Sequence, residues 1–183
     1  QLIDDVNGMV SEQDVEYNVS GNVDYWWLFA NPNTWKVDTF NVGDIQEYTA
    51  YNEKGNKRQL FKYFKIVKPG DKLICYETSP TKKVKALCEI TRELHEDDGF
   101  EVFNFIIKEK VAYEIPWGEL IQNEVFKKSE PYRAATGSLY HLTKTEYDTI
   151  VELVRKKEYY TKSDFLDEVF MTEEDYDKLK GLL

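Results

Sequence analysis

The sequence predicts an α+β domain: a curved, barrel-like mixed sheet of five or six strands with few helices, followed by a short helical C-terminal segment. Three observations carry that expectation. Several runs between residues 23 and 142 alternate apolar and polar residues with the period-two spacing of strands. Strands and helices do not follow the regular alternation of a doubly wound parallel sheet. The last forty residues are helical in pattern throughout. The expected organisation is a peripheral segment at 1–22, a sheet domain at 23–157 and a helical segment at 158–183.

Each element has its own warrant. Val23–Asn31 reads as a strand, aromatic and β-rich, stopped at Asn31-Pro32. Alternation along it puts Tyr25, Trp27 and Phe29 on one face and Trp26 and Leu28 on the other, so one set is expected in the core. Thr34–Phe40 reads as a loop or a turn of helix, Ile45–Tyr51 as a strand, and Glu53–Asn56 as a turn. Leu60, Phe61, Phe64 and Val67 fall at helical spacing with lysines between them, which predicts an amphipathic helix over Arg58–Val67. Pro69-Gly70 turns the chain into a strand at Lys72–Glu77, ended by Ser79-Pro80. Val84–Arg92 and Phe100–Tyr113 read as strands joined by a hairpin loop in HEDDG, 95–99. Ile115–Gly118 breaks the pattern, a short helix is expected over Glu119–Lys127, a loop over Pro131–Gly137, and a last strand over Ser138–Leu142. Thr143-Lys-Thr-Glu146 is a capping box that opens a helix to about Lys157. Helices follow from near Ser163 and from a second capping box at Thr172–Asp175. Tyr63, Phe61, Phe100, Phe103 and Phe105 are expected in the core.

Composition narrows the function. The chain has 183 residues, 42% of them hydrophobic, enough to bury a core. No run of 18 apolar residues exists, so no transmembrane helix is expected. The acidic N-terminus lacks the basic and apolar regions of a signal peptide. Cys75 and Cys88 lie in separate apolar runs without CxxC spacing, and read as small buried hydrophobes in a reducing compartment, hence the cytoplasm. His95 and His141 have no ligand cluster around them. No nucleophile–base pair or metal-binding spacing is visible, so no enzyme activity and no metal are expected.

Charge is unevenly spread. The net charge of −10 argues against a non-specific nucleic-acid coat. Residues 1–22 carry five acids and no Lys or Arg, and residues 144–183 carry eleven acids against seven bases. Between 54 and 72, by contrast, Lys54, Lys57, Arg58, Lys62, Lys65, Lys68 and Lys72 face one acid, Asp71. That stretch reads either as a solvated helix face or as a phosphate contact.

Four segments in order resemble an EVE domain of the PUA-like group, to which YTH domains are related: YWWLFANP, EYTAYNEKGNKR, KPGDKLICYETSPTKKVKALCEI and GSLYHLT. The resemblance covers roughly residues 23–155, and KxGDxxxxYxxxP is its most specific part. The tail YYTKSDFLDEVFMTEEDYDKLKGLL resembles the helical lead-in of McrB-like AAA+ GTPases. No GxxxxGK[ST] is present. The resemblance therefore implies the DNA-reader piece of a modification-dependent restriction motor, monomeric by itself. The motor would supply the GTP and Mg sites and the McrC-like nuclease partner, and the chain itself would need no cofactor.

The resemblance implies a site that flips a modified base, methylated or hydroxymethylated, into an aromatic pocket. It implies that Asn31 presents an amide to the base and that Tyr48, with Thr49 beside it, stands where YTH domains carry a cage tryptophan. It implies that the strand end Tyr76, Glu77, Thr78 and Ser79 faces the pocket, with Glu77 accepting from a base amino group. Trp27 and Trp117 are candidate pocket walls, against a core strand tryptophan and a hydrophobic plug. Ser138 approaches the base through its backbone. Lys54, Lys57, Arg58, Lys62, Lys82 and Lys83 would hold phosphates. An RNA reader and a protein-interaction module remain alternatives on the residues alone.

Overall fold

The structure, a computed structural model, describes residues 22–134, 136–156 and 178. Its strands are β1 (Tyr25–Ala30), β2 (Ile45–Thr49), β3 (Lys72–Glu77), β4 (Lys83–Asp97), β5 (Phe100–Lys110) and β6 (Leu139–Leu142). They form one six-stranded sheet in the order β2-β5-β4-β3-β1-β6. The pair β1/β3 is parallel and the other pairs are antiparallel. Among the described residues four α-helical elements accompany it: α1 (Phe61–Phe64), α2 (Trp117–Leu120), α3 (Glu130–Arg133) and α4 (Lys144–Lys156).

Both faces of the sheet are buried, which departs from the expectation that one face of β1 is core. Trp26, Leu28 and Ala30 join Leu73, Cys75, Phe103 and Phe105 in one core, closed over by Phe64 and Val67. Trp27 turns the other way and joins Ile74, Tyr140, Phe126 and Ile150 in a second core under α2 and α4. Alternation cannot reveal this, because a strand covered on both sides is apolar at every position. Cys75 and Cys88 lie in the first core with their sulfurs 3.5 Å apart.

Three elements differ from the sequence pattern for local reasons. The predicted helix 58–67 shrinks to the single turn α1. Leu60 before it is left-handed (φ 59°, ψ 32°), a conformation that costs a side-chain-bearing residue about 1–2 kcal/mol and cannot continue a helix. Contacts with both cores hold it there. The expected helix 119–127 splits into α2 and a 3-10 turn at Phe126–Lys128, because Asn123 Oδ1 accepts from Val125 N and Phe126 N and opens a new turn. β4 runs five residues past its expected end at Arg92. Beyond the core its side chains alternate nothing, and pairing alone carries it to a two-residue turn. There Asp98 and Gly99 both take positive φ (45° and 81°), as a two-residue hairpin of the right-handed twist requires.

The capping box at α4 is reciprocal: Glu146 Oε2 accepts from Thr143 N at 2.8 Å and Thr143 Oγ1 accepts from Glu146 N at 3.2 Å. The helices expected within 158–183 and the segment 1–21 lie outside the described residues. Among the described residues no helix is long and apolar enough to cross a membrane.

Candidate nucleic-acid interface

The order of strands puts β2 at one edge of the sheet and β6 at the other, yet their ends meet. The Tyr48 hydroxyl on β2 donates to the Phe29 carbonyl on β1 at 3.1 Å. Arg58 spans the gap more fully. Its Nε donates to the Thr49 carbonyl at 2.9 Å and its Nη1 to Ser138 Oγ, just before β6, at 3.1 Å. Its guanidinium lies 4.9 Å from the centre of the Tyr48 ring. The sheet therefore curls into a partial barrel that is clasped, not closed, and the seam is a cleft of about 880 Å³.

Rings and polar groups line this first cleft together. Phe29, Trp35, Tyr48, Tyr51 and Phe100 supply aromatic surface, and Asn31, Thr49, Thr78, Arg58 and Ser138 supply polar groups. Trp35 stands edge-on to Tyr48, with ring centres 5.8 Å apart. Burial pushes the Tyr48 phenol up, against the opposing pull of Arg58, so it stays a neutral donor. Among the described residues no carboxylate lies within 4.0 Å of the Arg58 guanidinium. The rim carries Lys54 but also Glu47, Glu53, Asp97 and Asp98, so it offers acceptors for an amino group as well as a cation.

A second, smaller cleft of about 280 Å³ opens on the other side of Phe29. Tyr76, Trp117, Ser79, Lys82 and Gly137 line it, and Phe29 and Thr78 belong to both clefts. Its rings pack against one another edge-on or tilted: the centres of Tyr76 and Trp117 are 5.5 Å apart, Phe29 and Tyr76 5.3 Å, Phe29 and Trp117 6.2 Å. Gly137 is required there by close approach. A Cβ on it would sit 2.9 Å from the Tyr140 hydroxyl, which donates to the Ala134 carbonyl and accepts from Gly137 N.

The sequence-derived site thus divides. Asn31, Tyr48, Thr49, Thr78, Ser138, Lys54 and Arg58 meet at the first cleft; Tyr76, Ser79, Lys82 and Trp117 meet at the second. Asn31 Oδ1 is committed to Asn33 N at 3.0 Å, which leaves its amide nitrogen for a ligand. Two expectations are corrected. Trp27 is fully buried and lines neither cleft, since the second core covers its face of β1 at that position and leaves Phe29, two residues on, only partly covered. Glu77 is also fully buried: it shares the inward face of β3 with Leu73 and Cys75, and its Oε1 accepts from Val37 N at 2.8 Å. Its role is to cap the turn at Val37–Thr39, not to read a base.

The lysines divide too. Lys57 and Lys62 are exposed, each Nζ over a ring, 4.3 Å from the Phe61 centre and 4.9 Å from the Tyr63 centre. Lys83 is drawn toward Glu114 at 3.6 Å, and Lys68 and Lys72 pair with Asp24 and Glu89. Residues 54–72 are therefore half anchor and half open surface.

Sequence reasoning passed over Phe29, Trp35 and Phe100. Phe29 was visible as the last aromatic of its face before the strand stop. Phe100 was expected in the core but is 55% exposed, beside the Asp98-Gly99 turn where an aromatic has no core to enter. Among the described residues no group of three or more His, Cys, Asp or Glu is placed to hold a metal ion.

No family model matches the chain, and no curated protein matches its sequence. Solved structures do share its fold. A hypothetical protein from Leishmania major superposes with a TM-score of 0.63 at 15% identity, over 75% of this chain and 98% of that one. Protein Atu2648 from Agrobacterium tumefaciens gives 0.62 at 16%, over 72% and 93%. Human THYN1, solved in complex with 5-methylcytosine-containing DNA, gives 0.59 at 13%, over 72% and 97%. These likenesses establish the fold, an α+β domain built on a curved and unclosed six-stranded sheet.

Proposed function

We propose that this chain is a reader of a modified base in DNA, and that the base is flipped out of the duplex into the first cleft. One observation carries the reading: a seam lined by five aromatic rings also holds an arginine that, among the described residues, no carboxylate neutralises. Aromatic faces restore the stacking that a flipped base loses, at roughly 1–3 kcal/mol per base. A guanidinium fixed by two protein acceptors presents its remaining donors to a base carbonyl or a phosphate at little further entropic cost. An added methyl group gains about 0.8 kcal/mol by leaving water. Support also comes from human THYN1, which has this fold and was solved with 5-methylcytosine-containing DNA.

The finer reading rests on the tail resemblance. The chain is the monomeric, cytoplasmic specificity piece of a McrBC-like restriction complex, contributing no chemistry of its own and delivering a GTP-driven motor and its McrC-like nuclease to modified DNA. The test is a fluorescence-anisotropy titration near physiological ionic strength with matched duplexes. They carry cytosine, 5-methylcytosine, 5-hydroxymethylcytosine or N6-methyladenine. A preference of at least tenfold, about 1.4 kcal/mol, for one modified duplex is expected. Equal affinity for all four would remove the base-reading function, and tighter binding to single-stranded RNA carrying the same base would move it to RNA.

A further inference from the structure

We infer that the second cleft receives the nucleotide next to the modified one, so that the protein grips two consecutive nucleotides on either side of Phe29. The inference rests on the base-reading role of the first cleft and extends it. The two clefts adjoin: Phe29 and Thr78 line both, and the consecutive residues Gly137 and Ser138 serve one each. A strand that places one nucleotide in the seam thus carries its neighbour over the Phe29 wall.

What waits there suits a nucleobase with its phosphate. Phe29 and Trp117, packed on the buried Tyr76 ring, supply an aromatic wall to the cleft. Lys82 stands at the edge with a left-handed backbone (φ 52°) and, among the described residues, no carboxylate within 4.0 Å. Backbone pairing fixes the Lys82 main chain beside Trp117: Trp117 N donates to the Lys82 carbonyl at 2.9 Å, and Lys83 bridges to Pro116. Strain at a non-glycine residue that is held in register by hydrogen bonds is typical of a ligand clamp. The pocket contains little that reads hydrogen-bond patterns. It is a stacking platform, tolerant of sequence, and it favours a neighbour that leaves its own stack cheaply.

The test uses a 5-methylcytosine duplex in three forms: intact, with an abasic analogue in place of either neighbouring nucleotide, and with a mismatch opposite that neighbour. Wild type should lose roughly tenfold in affinity when the neighbour on one side is abasic, the contribution of one stacked base, and should gain affinity from the mismatch. In Trp117→Ala both effects should vanish while the preference for the methylated over the unmethylated duplex persists. Trp117→Phe, which keeps a ring within the second core, should retain part of both and guards against a folding defect. Lys82→Ala should lower the salt slope by about one without changing the abasic penalty. The inference is overturned if abasic substitution on either side costs wild type nothing, or if the penalty survives undiminished in Trp117→Ala. Failure of the first-cleft reading looks different: methylated and unmethylated duplexes bind alike, whatever the neighbour contributes. If no duplex binds, both fall.

Discussion

The two ends of β1 are made of similar residues and end in opposite conditions. At its start, charge is abundant and wholly consumed. The buried Asp71 carboxylate accepts from Asp24 N at 3.0 Å, Trp26 Nε1 at 2.9 Å and Lys68 N at 3.1 Å, and Lys68 Nζ lies 3.2 Å away. Tyr63 packs 5.6 Å from Trp26 and gives its hydroxyl to Glu130 at 2.7 Å. At the other end, past Phe29, Trp35, Phe100 and Arg58 line an open cleft over the buried Tyr48 ring. The difference teaches what the KPGD segment is for. Its aspartate is a hub that ties its own turn at 68–71 to the start of β1, while ligand contact belongs to the far end, where β1 and β3 stop and β6 begins.

Breaking the closed end should have the largest effect. Asp71→Ala leaves the Trp26 indole N–H buried without an acceptor and frees two backbone donors, a loss of about 3 kcal/mol in stability. Chemical denaturation would read it as a lower midpoint with an unchanged slope. The preference between modified and unmodified duplexes should survive under conditions where the variant is folded. A variant as stable as wild type would show that the hub is not what closes this end.

Arg58→Ala attacks the open end. Removing two side-chain hydrogen bonds and the unneutralised charge should weaken binding to every duplex by roughly 10- to 100-fold, in line with charged hydrogen bonds worth about 1.5–3 kcal/mol. The cost in stability should be smaller, since the group is not a buried charge. Arg58→Lys keeps the charge but not the fork that spans Thr49 and Ser138, and should recover only part of the affinity. If Arg58→Ala lost stability but no affinity, the arginine would be a clasp alone.

The contrast between the ends was only half legible in the sequence. Strand positions followed from alternation, and the α4 cap from its four residues, because those signals are local. Lys72–Glu77 lies where its pattern put it. The seam was not legible: Tyr48, Arg58 and Ser138 are 10 and 80 residues apart in chain order, and only the curl of the sheet joins them. Glu77 misled because a carboxylate at a strand end normally faces water, and here a turn's backbone N–H draws it inward. Leu60 misled because helical spacing carries no warning of a left-handed residue. In the same way Trp27 and Phe29, two residues apart on one face, differ only in how far the second core extends.

Alkaline titration probes the closed end more gently. Burial, with Glu130 accepting its proton, pushes the Tyr63 phenol up to about 12. In the unfolded chain it ionises near 10. The folded state therefore keeps a proton that the unfolded state releases. The resulting stability is complete below pH 10 and is lost as pH rises from 10 toward 12, with a ceiling on the order of 2–3 kcal/mol. In Tyr63→Phe this component is absent, so the stability gap between wild type and variant should narrow across that window. A gap constant from pH 9 to about 11.5 would mean that the hydroxyl is not held as the geometry indicates.

The smallest effects should separate lysines that composition alone treats as one patch. Lys57 and Lys62 are exposed over aromatic rings and have no carboxylate within 4.0 Å among the described residues, whereas Lys72 is 2.5 Å from Glu89. A cation already paired releases few counterions when DNA arrives. Lys57→Ala and Lys62→Ala should each lower the slope of log affinity against log salt by about one, and weaken modified and unmodified duplexes alike by a few-fold. Lys72→Ala should leave the slope unchanged. Titrations at three salt concentrations decide it. Equal slopes for all three variants would mean that the anchored and open halves of residues 54–72 face the same phosphates. The boundary between the two ends of the domain would then have to be redrawn along charge, not along β1.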